Sequence, residues 1–516
     1  MSAIKSVAAL LRVVIIKPSK YSIRGYVERF RRGFMPNSTI PYIRSMTPQF
    51  VDDVRIETHA IDEYMQTDLD YLNLLRDPDQ PTLLALVGVQ SHQFHRALDL
   101  SAYARANGVR HCVIGGPHPM TCDTTMLQNR GVSFALAEAE MVWSQILRDA
   151  IAGELQPVYG RDRRWAEELQ APVLIAPSKR DLRRYVVPML GIYPARGCPF
   201  TCNFCSVIKI AGRQIRSQSI STTLESLRNA KAAGVRLVMF TSDNFNKYGE
   251  AKELLNEMIA QDLRMPFFAQ CDTQVARQEE LVSLMGRAGC FEMFVGVESF
   301  NRKTLLGAHK AQNHPNTYGE IVNLCRKYGI VSHFSNIIGF PEDTATSIHE
   351  HLDVLCGLAP DVASFYILCP LPGTEQYDQF LAAGCILEPN LDRFDGTVPT
   401  WRHPNLSAHE LQELLFSCYR RFYSTGRILS GAFRSFATGK LGSLISYLGN
   451  PLFSRFVAAK RMHPMSGGVF RVSIDSVADY RELRKKQFGF ELVPLPESLQ
   501  LSKADADLNR RARISI

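Results

Sequence analysis

The sequence predicts an α/β protein: a doubly wound (Rossmann-like) N-terminal domain, a partial (β/α)6 barrel of the TIM type and a mixed, mainly helical C-terminal region. Two observations carry this reading. Over the first 385 residues, apolar runs of strand length alternate with helically spaced segments, the rhythm of parallel sheets. Charge then sets the last part of the chain apart. The net charge is +8, yet residues 414–474 hold nine Lys or Arg and no Asp or Glu.

With 516 residues, 46% of them hydrophobic and 21% charged, the chain can bury its cores without covalent staples, which excludes disorder, collagen and a disulfide-framework miniprotein. The 12 cysteines suit a reducing cytosol. No run reaches the roughly 18 apolar residues of a membrane span. Arg12 splits the apolar N-terminus, so residues 13–16, ahead of Lys17-Pro18, read as a buried first strand rather than a signal peptide.

In residues 1–158 the segments 11–16, 82–89 and 111–114 read as strands, and 97–106 as a helix ended by Gly108. Residues 159–186, polar and rich in Arg, Asp and Pro, read as a linker. Residues 187–385 hold six strand runs at 190–193, 237–241, 267–270, 293–297, 331–338 and 364–368, with a ligand site expected at their carboxyl ends. Residues 386–516 begin with a helix over 408–422, continue into the acid-free stretch and end in a polar tail after Val493.

The chemistry is carried by Cys198-x3-Cys202-x2-Cys205, directly after the first barrel strand. Three thiolates in one loop can converge on a soft metal centre, and an iron–sulfur cube with only three protein ligands leaves one iron open to a substrate or cofactor. Zinc would want a fourth Cys or His nearby, and none follows Cys205. A Cys202/Cys205 redox pair would leave Cys198 idle. The other nine cysteines scatter singly and read as core thiols. Gly115-Gly116-Pro117-His118, after the third N-terminal strand, and Gln90-Ser91, after the second, are small or polar strand ends that let a ligand approach the backbone.

The cysteine triplet, with Phe204 before its last member, resembles the radical S-adenosylmethionine (AdoMet) superfamily. That resemblance implies a [4Fe–4S] cluster held by Cys198, Cys202 and Cys205, with AdoMet on the fourth iron. It also implies AdoMet contacts from Ser242 and Asp243 after the second barrel strand, Glu298 and Ser299 after the fourth, and Ile337 beside the adenine in Ser335-Asn-Ile-Ile-Gly-Phe-Pro-Glu342. Two positions depart from the pattern: Ser242 stands where relatives usually show an acid, and Ser335 where they show glycine. Gln90, Ser91, Gly115, Gly116, Pro117, His118 and Glu138 resemble the cobalamin shelf that precedes the barrel in one class of these enzymes, although Ala137 replaces the usual glycine. The Asp-x-His-x-x-Gly motif that supplies a cobalt ligand elsewhere is absent. His92 and His95 lie close to the expected edge.

Together these features are similar to the cobalamin-dependent radical AdoMet methyltransferases, which implies methylation of an unactivated carbon with cobalamin relaying the methyl group. No side-chain base makes an sp³ C–H nucleophilic, so no general base is assigned. In length, domain order and the Lys17-Pro-Ser-Lys20 opening, the chain is similar to the hopanoid methylases, particularly the C-3 methylases. This implies a small-molecule lipid substrate, an electron donor such as a flavodoxin or ferredoxin, and a cytoplasmic enzyme that works in solution or at the inner face of the membrane. The basic stretch then has three readings: a face on anionic lipid, a lid over the barrel, or a packed helix with solvated arginines. Nine cations over 61 residues are too sparse for a nucleic-acid face. A tetrapyrrole-type cyclase and a non-catalytic cobalamin or redox-binding protein are the alternatives.

Overall fold

The computed structural model describes residues 9–437, 451–464 and 468–490. The first half contributes eight strands: β1 (Leu10–Lys17), β2 (Arg29–Gly33), β3 (Phe50–Val51), β4 (Val54–Asp62), β5 (Thr82–Leu86), β6 (His111–Gly115), β7 (Ser133–Ala135) and β8 (Val158–Tyr159). All but β2 form one sheet in the order β3-β4-β1-β5-β6-β7-β8, parallel except for β3. Val13 and Ile15 face the helices Thr39–Met46 and Ala139–Ala152, while Val14 and Ile16 face the helix Phe94–Ala106. Helices cover both faces, which is why residues 13–16 of β1 read as an unbroken apolar run.

The barrel follows with β9 (Met189–Ile192), β10 (Ala195–Arg196), β11 (Arg216–Ser217), β12 (Leu237–Phe240), β13 (Phe267–Cys271), β14 (Cys290–Glu298), β15 (Val331–Ile338) and β16 (Val362–Ile367). Strands β9 and β12 to β16 form an all-parallel six-stranded sheet in sequence order, each next to its predecessor, as the run spacing predicts. Val238, Ala269, Val295, Phe334 and Phe365 pack on the outer helices. Phe268, Phe294, His333 and Tyr366 alternate with them and point to the concave side. An open barrel leaves a strand edge to satisfy. The phenols of Tyr423 and Tyr419 accept from Ala363 N and Phe365 N at 3.0 and 3.1 Å, and the His463 ring meets Phe365 O at 2.7 Å. The C-terminal region thereby covers the β16 edge with side chains instead of another strand.

The expected linker is anchored: Trp165 Nε1 donates to Ile210 O at 2.6 Å, and Arg164 Nη1 to Met120 O at 2.7 Å. The C-terminal region also returns to the N-terminal half. Strand β17 (Gly468–Val472) pairs antiparallel with β2. Asp475 and Arg484 then enter a buried ion network. Arg96 Nη2 lies 2.6 Å from Glu63 Oε1 and 3.2 Å from Asp475 Oδ2, Arg29 Nε donates to Asp475 Oδ1 at 3.1 Å, and Arg484 Nε donates to Asp99 Oδ1 at 2.6 Å. Arg29, Arg96 and Glu63 are wholly buried. Burial alone would neutralise Glu63, but Arg96 and Arg29 hold its pKa down at about 2.

Several cations of the acid-free stretch are bound within the fold: Arg421 by Asp353, Arg461 by Glu413, Arg471 by Glu28 and Arg427 by Cys356 O. Arg434 lies where only the backbone is described, and Lys440 and the tail after Val493 lie outside the described residues. Among the described residues, no helix is long and apolar enough to cross a membrane.

Candidate functional site

The cysteine loop hangs between β9 and β12 and is braced on both sides. The Asp243 carboxylate accepts from Gly197 N at 2.8 Å, Ser242 Oγ donates to Ala195 O at 3.2 Å, and the Asn244 amide donates to Cys198 Sγ at 3.0 Å. The two residues expected at the AdoMet amino group therefore also fix the loop itself. The three thiols lie within electrostatic reach, Cys202 acting on Cys198 and both of them on Cys205. Burial, the largest cause, lifts Cys198 to about 11 and Cys205 to about 12 and also raises Cys202. Among the described residues no three His, Cys, Asp or Glu converge on one ion. A cube is a different demand, because each thiolate sits on its own iron.

Glu298 closes β14 at a register shift and adopts φ +60°, rare for a side-chain-bearing residue. Lys310 Nζ lies 2.6 Å from Glu298 Oε1 and 5.8 Å from the Phe204 ring, while Glu298 Oε2 is buried without a hydrogen-bond partner. Burial works against the Lys310 charge, but Glu298 and then Cys202 hold its pKa above the ordinary lysine value. A lone carboxylate oxygen beside the thiols suits a ligand that donates hydrogen bonds. Ser299 and Ile337 line one cavity, and Phe204, Ile337 and Phe340 share an apolar cluster, so the structure brings together residues expected to contact AdoMet. Lys310, Asn244 and Gln312, whose amide reaches Cys202 Sγ at 3.6 Å, were not legible in advance. Asn244 directly follows Asp243, but nothing in the sequence marked Lys310 or Gln312.

On the N-terminal side, Gly116 has φ +135°, and a Cβ there would lie 2.1 Å from Val89 N. Only glycine permits this approach between strand ends. Replacing Gly116 with alanine is expected to cost about 3 kcal/mol in a denaturant titration and to collapse the neighbouring cavity. That cavity is lined by Tyr42, Gly88, Gly115 and Trp143 from the N-terminal sheet and its helices, and by Arg196 and Ile210 from the segments flanking the cysteines. Its walls are largely apolar and its floor is glycine, which fits a flat aromatic group entering at the strand ends.

Other expected contacts are already engaged. The Glu138 carboxylate takes both Arg216 guanidinium nitrogens at 2.6 and 2.8 Å, and Arg196 at 3.3 Å. It ties the N-terminal sheet to the segments flanking the cysteines while also lining the cavity beside Gly115 and Gly116. His118 is wholly buried, 3.0 Å from Ser91 Oγ and tilted against the Phe94 ring, and burial lowers its pKa to about 3. His95 pairs with Asp392 at 3.3 Å. His92 lies beside Lys20 and Asp395, and burial lowers its pKa to about 4. Gln90 is exposed just ahead of the turn Ser91–Gln93. Of the nine scattered cysteines, Cys112, Cys122, Cys271, Cys290, Cys325 and Cys418 are buried, as core thiols should be.

Comparison with known proteins now adds to this geometry. Residues 192–355 match the family model described as the radical SAM superfamily. The chain is 26% identical over 337 residues to the bacteriochlorophyllide d C-12(1)-methyltransferase of Chlorobaculum tepidum, covering 63% of this chain and 71% of that one. It is 27% identical over 207 residues to the hopanoid C-3 methylase of Methylococcus capsulatus, covering 38% and 39%. Among solved structures, the fold is similar to the radical S-adenosylmethionine methyltransferase TsrM of Kitasatospora setae, solved with cobalamin and a [4Fe–4S] cluster bound. The TM-score is 0.64 at 14% identity, covering 87% of this chain and 99% of that chain. The match to the hopanoid C-3 methylase thus spans a minority of the chain, which narrows the whole-chain likeness expected from length and domain order.

Proposed function

We propose that this chain, a radical SAM enzyme of the methyltransferase kind, places a cobalamin and an AdoMet-bound [4Fe–4S] cluster in one chamber and methylates an unactivated carbon of an apolar, lipid-like molecule, in the first instance a hopanoid at C-3. The observation that carries the reading is the cavity between the N-terminal sheet and the segments that flank the cysteine loop, with the Gly115-Gly116 shelf on one wall and Tyr193, Arg196 and Ile210 on the other.

Cys198, Cys202 and Cys205 would hold the cluster, Glu298 and Ser299 the AdoMet, and the cavity walls the corrinoid's nucleotide arm. When bound, these groups supply the radical and the methyl donor that no side chain provides. The chain's own residues do the positioning. Asp243 and Asn244 hold the cysteine loop, Lys310 offsets negative charge beside Cys202 and Glu298, and Arg196 and Arg216 lock the loop to the N-terminal domain through Glu138 and Glu140. The lipid reading draws support from Leu429, Phe433, Leu452 and Phe456, which are exposed on two C-terminal helices inside the acid-free stretch.

Anaerobically reconstituted protein given AdoMet, cobalamin, reductant and a bacterial lipid extract in anionic vesicles is expected to yield S-adenosylhomocysteine, 5′-deoxyadenosine and a lipid heavier by about 14 daltons, one CH₂ added by cofactor chemistry. Absence of 5′-deoxyadenosine removes the radical reading. Both nucleosides with no heavier lipid, but methylation of an added tetrapyrrole, moves the substrate to the pigment class.

A further inference from the structure

The cavity beside Gly115 and Gly116 and the cysteine loop have one side chain in common, Arg196. It closes the short strand β10 and stands two residues ahead of Cys198. It nonetheless lines the N-terminal cavity, together with Tyr42, Glu138, Glu140 and Tyr193. Arg196 Nη1 lies 2.8 Å from Glu140 Oε1 and donates to Glu138 Oε1 at 3.3 Å. Aromatic rings hold the rest of the group. Its central carbon lies 4.9 Å from both the Tyr42 and the Tyr193 centroid, the two rings meet edge-on at 5.1 Å, and the Tyr42 phenol donates to Glu140 Oε1. Two ring faces and two carboxylates thus fix the guanidinium against the helices Thr39–Met46 and Ala139–Ala152.

The link from Arg196 to the first cysteine is short and stiff. Strand β10 pairs antiparallel with β11, Arg196 opposite Arg216. Gly197 follows with φ +109°, and a Cβ there would lie 2.2 Å from Gln214 O, so the chain takes a path that only glycine permits. Asp243 holds the Gly197 N–H, and Gly212 O accepts from Cys198 N at 3.1 Å. A shift of the guanidinium is therefore passed on to Cys198 instead of being absorbed before it. The clamp itself has capacity to spare. Among the described residues Arg196 meets carboxylates through Nη1 alone, which leaves Nε and Nη2 to donate into the cavity, and Glu140 Oε2 is buried without a hydrogen-bond partner.

We propose that Arg196 is a positioning residue that couples the two cofactor sites: an amide-rimmed corrinoid in the N-terminal cavity accepts from its guanidinium, and the restraint carried through Gly197 makes that corrinoid and the metal at the cysteines bind more tightly together than apart. This rests on the proposed function, which puts the two groups there, and adds the side chain that links them. Such coupling is reciprocal, so whichever site fills first prepares the other.

The readout is binding, not turnover. Hydroxocobalamin is dialysed under argon against the full-length protein in two forms, one cluster-loaded and one stripped of iron by a chelator. The loaded natural protein is expected to bind it about tenfold more tightly than the stripped protein, a ratio typical of coupled sites. Arg196→Gln is expected to bring that ratio close to one. Arg196→Lys keeps the charge but loses the planar fork, and should retain only part of it. Glu140→Gln loosens the guanidinium without touching the cysteine segment and is expected to shrink the ratio as well; it decides the matter if Arg196→Gln loses the natural circular dichroism. Ile146→Val, a change elsewhere in the same cavity, should weaken corrinoid binding to both forms alike and leave the ratio unchanged. Equal affinities in the two natural forms, or an undiminished ratio in Arg196→Gln and Glu140→Gln, overturn the coupling and leave the proposed function in place. Failure of both natural forms to bind hydroxocobalamin overturns the two together.

Discussion

Cys202→Ala, reconstituted beside the unchanged protein, is expected to lose most of its iron and to form 5′-deoxyadenosine at least about 10³-fold more slowly, a difference of about 4 kcal/mol in barrier. The reason is local. Cys202 is buried, lies within electrostatic reach of Lys310 and shares a raised pKa with its two neighbours, so it binds no metal unless the metal displaces its proton. Cys198→Ala and Cys205→Ala should behave alike, because a cube with two protein ligands has lost a corner and not merely an orienting contact. Cys418→Ala, a buried thiol in the helix Ala408–Phe422, should keep iron content and product formation. Iron and cluster absorbance that survive in all three loop variants would remove the basis of the proposed function.

Glu63→Gln is expected to destabilise the protein by about 3–5 kcal/mol in denaturant unfolding, since it leaves Arg29 and Arg96 buried with Asp475 as their remaining close acid. The pH dependence has a definite sign. The folded pKa of Glu63, about 2, lies below its ordinary value of 4.5, so its contribution is fully present above pH 4.5 and is lost as pH falls toward 2. Unfolding midpoints recorded across that window should fall for the natural protein, whereas the Glu63→Gln variant should lose the part of that slope owed to Glu63. Limited proteolysis should cut the variant first around residues 468–490, because Asp475 on that segment is a member of the network. A variant as stable and as acid-resistant as the natural protein would show that the network is energetically neutral.

Much of the barrel was readable in advance because its strands are covered by helices on their outer face, so β12, β13 and β16 appear as compact, largely apolar runs. Strand β4 was not. Val54–Asp62 buries mainly Ile56 and Ile61 and keeps polar side chains half-exposed near the sheet edge, so neither a continuous run nor a clean alternation signals it. Strand β7, three residues long, is too short for any periodicity. The cysteine spacing and the Gly115-Gly116 strand end were legible because both are local constraints. Glu138 was legible only as a residue near a strand end: its partners Arg196 and Arg216 come from another domain, and their choice of this carboxylate is a matter of three-dimensional approach.

From the sequence alone came everything set by short-range physics: which runs become strands, where three sulfurs gather in one loop, and where only glycine lets backbone or ligand come close. The tertiary structure alone decided which of those groups remain open to a ligand. It joined β17 to β2, sent Asp475 to Arg29 some 446 residues away, spent Glu138 on an interdomain clamp and aligned Glu292, His333 and Ser364 across separate strands. Such pairings follow from the register and docking of distant elements, and buried charges find partners wherever the folded chain brings them, a geometry that no local pattern encodes.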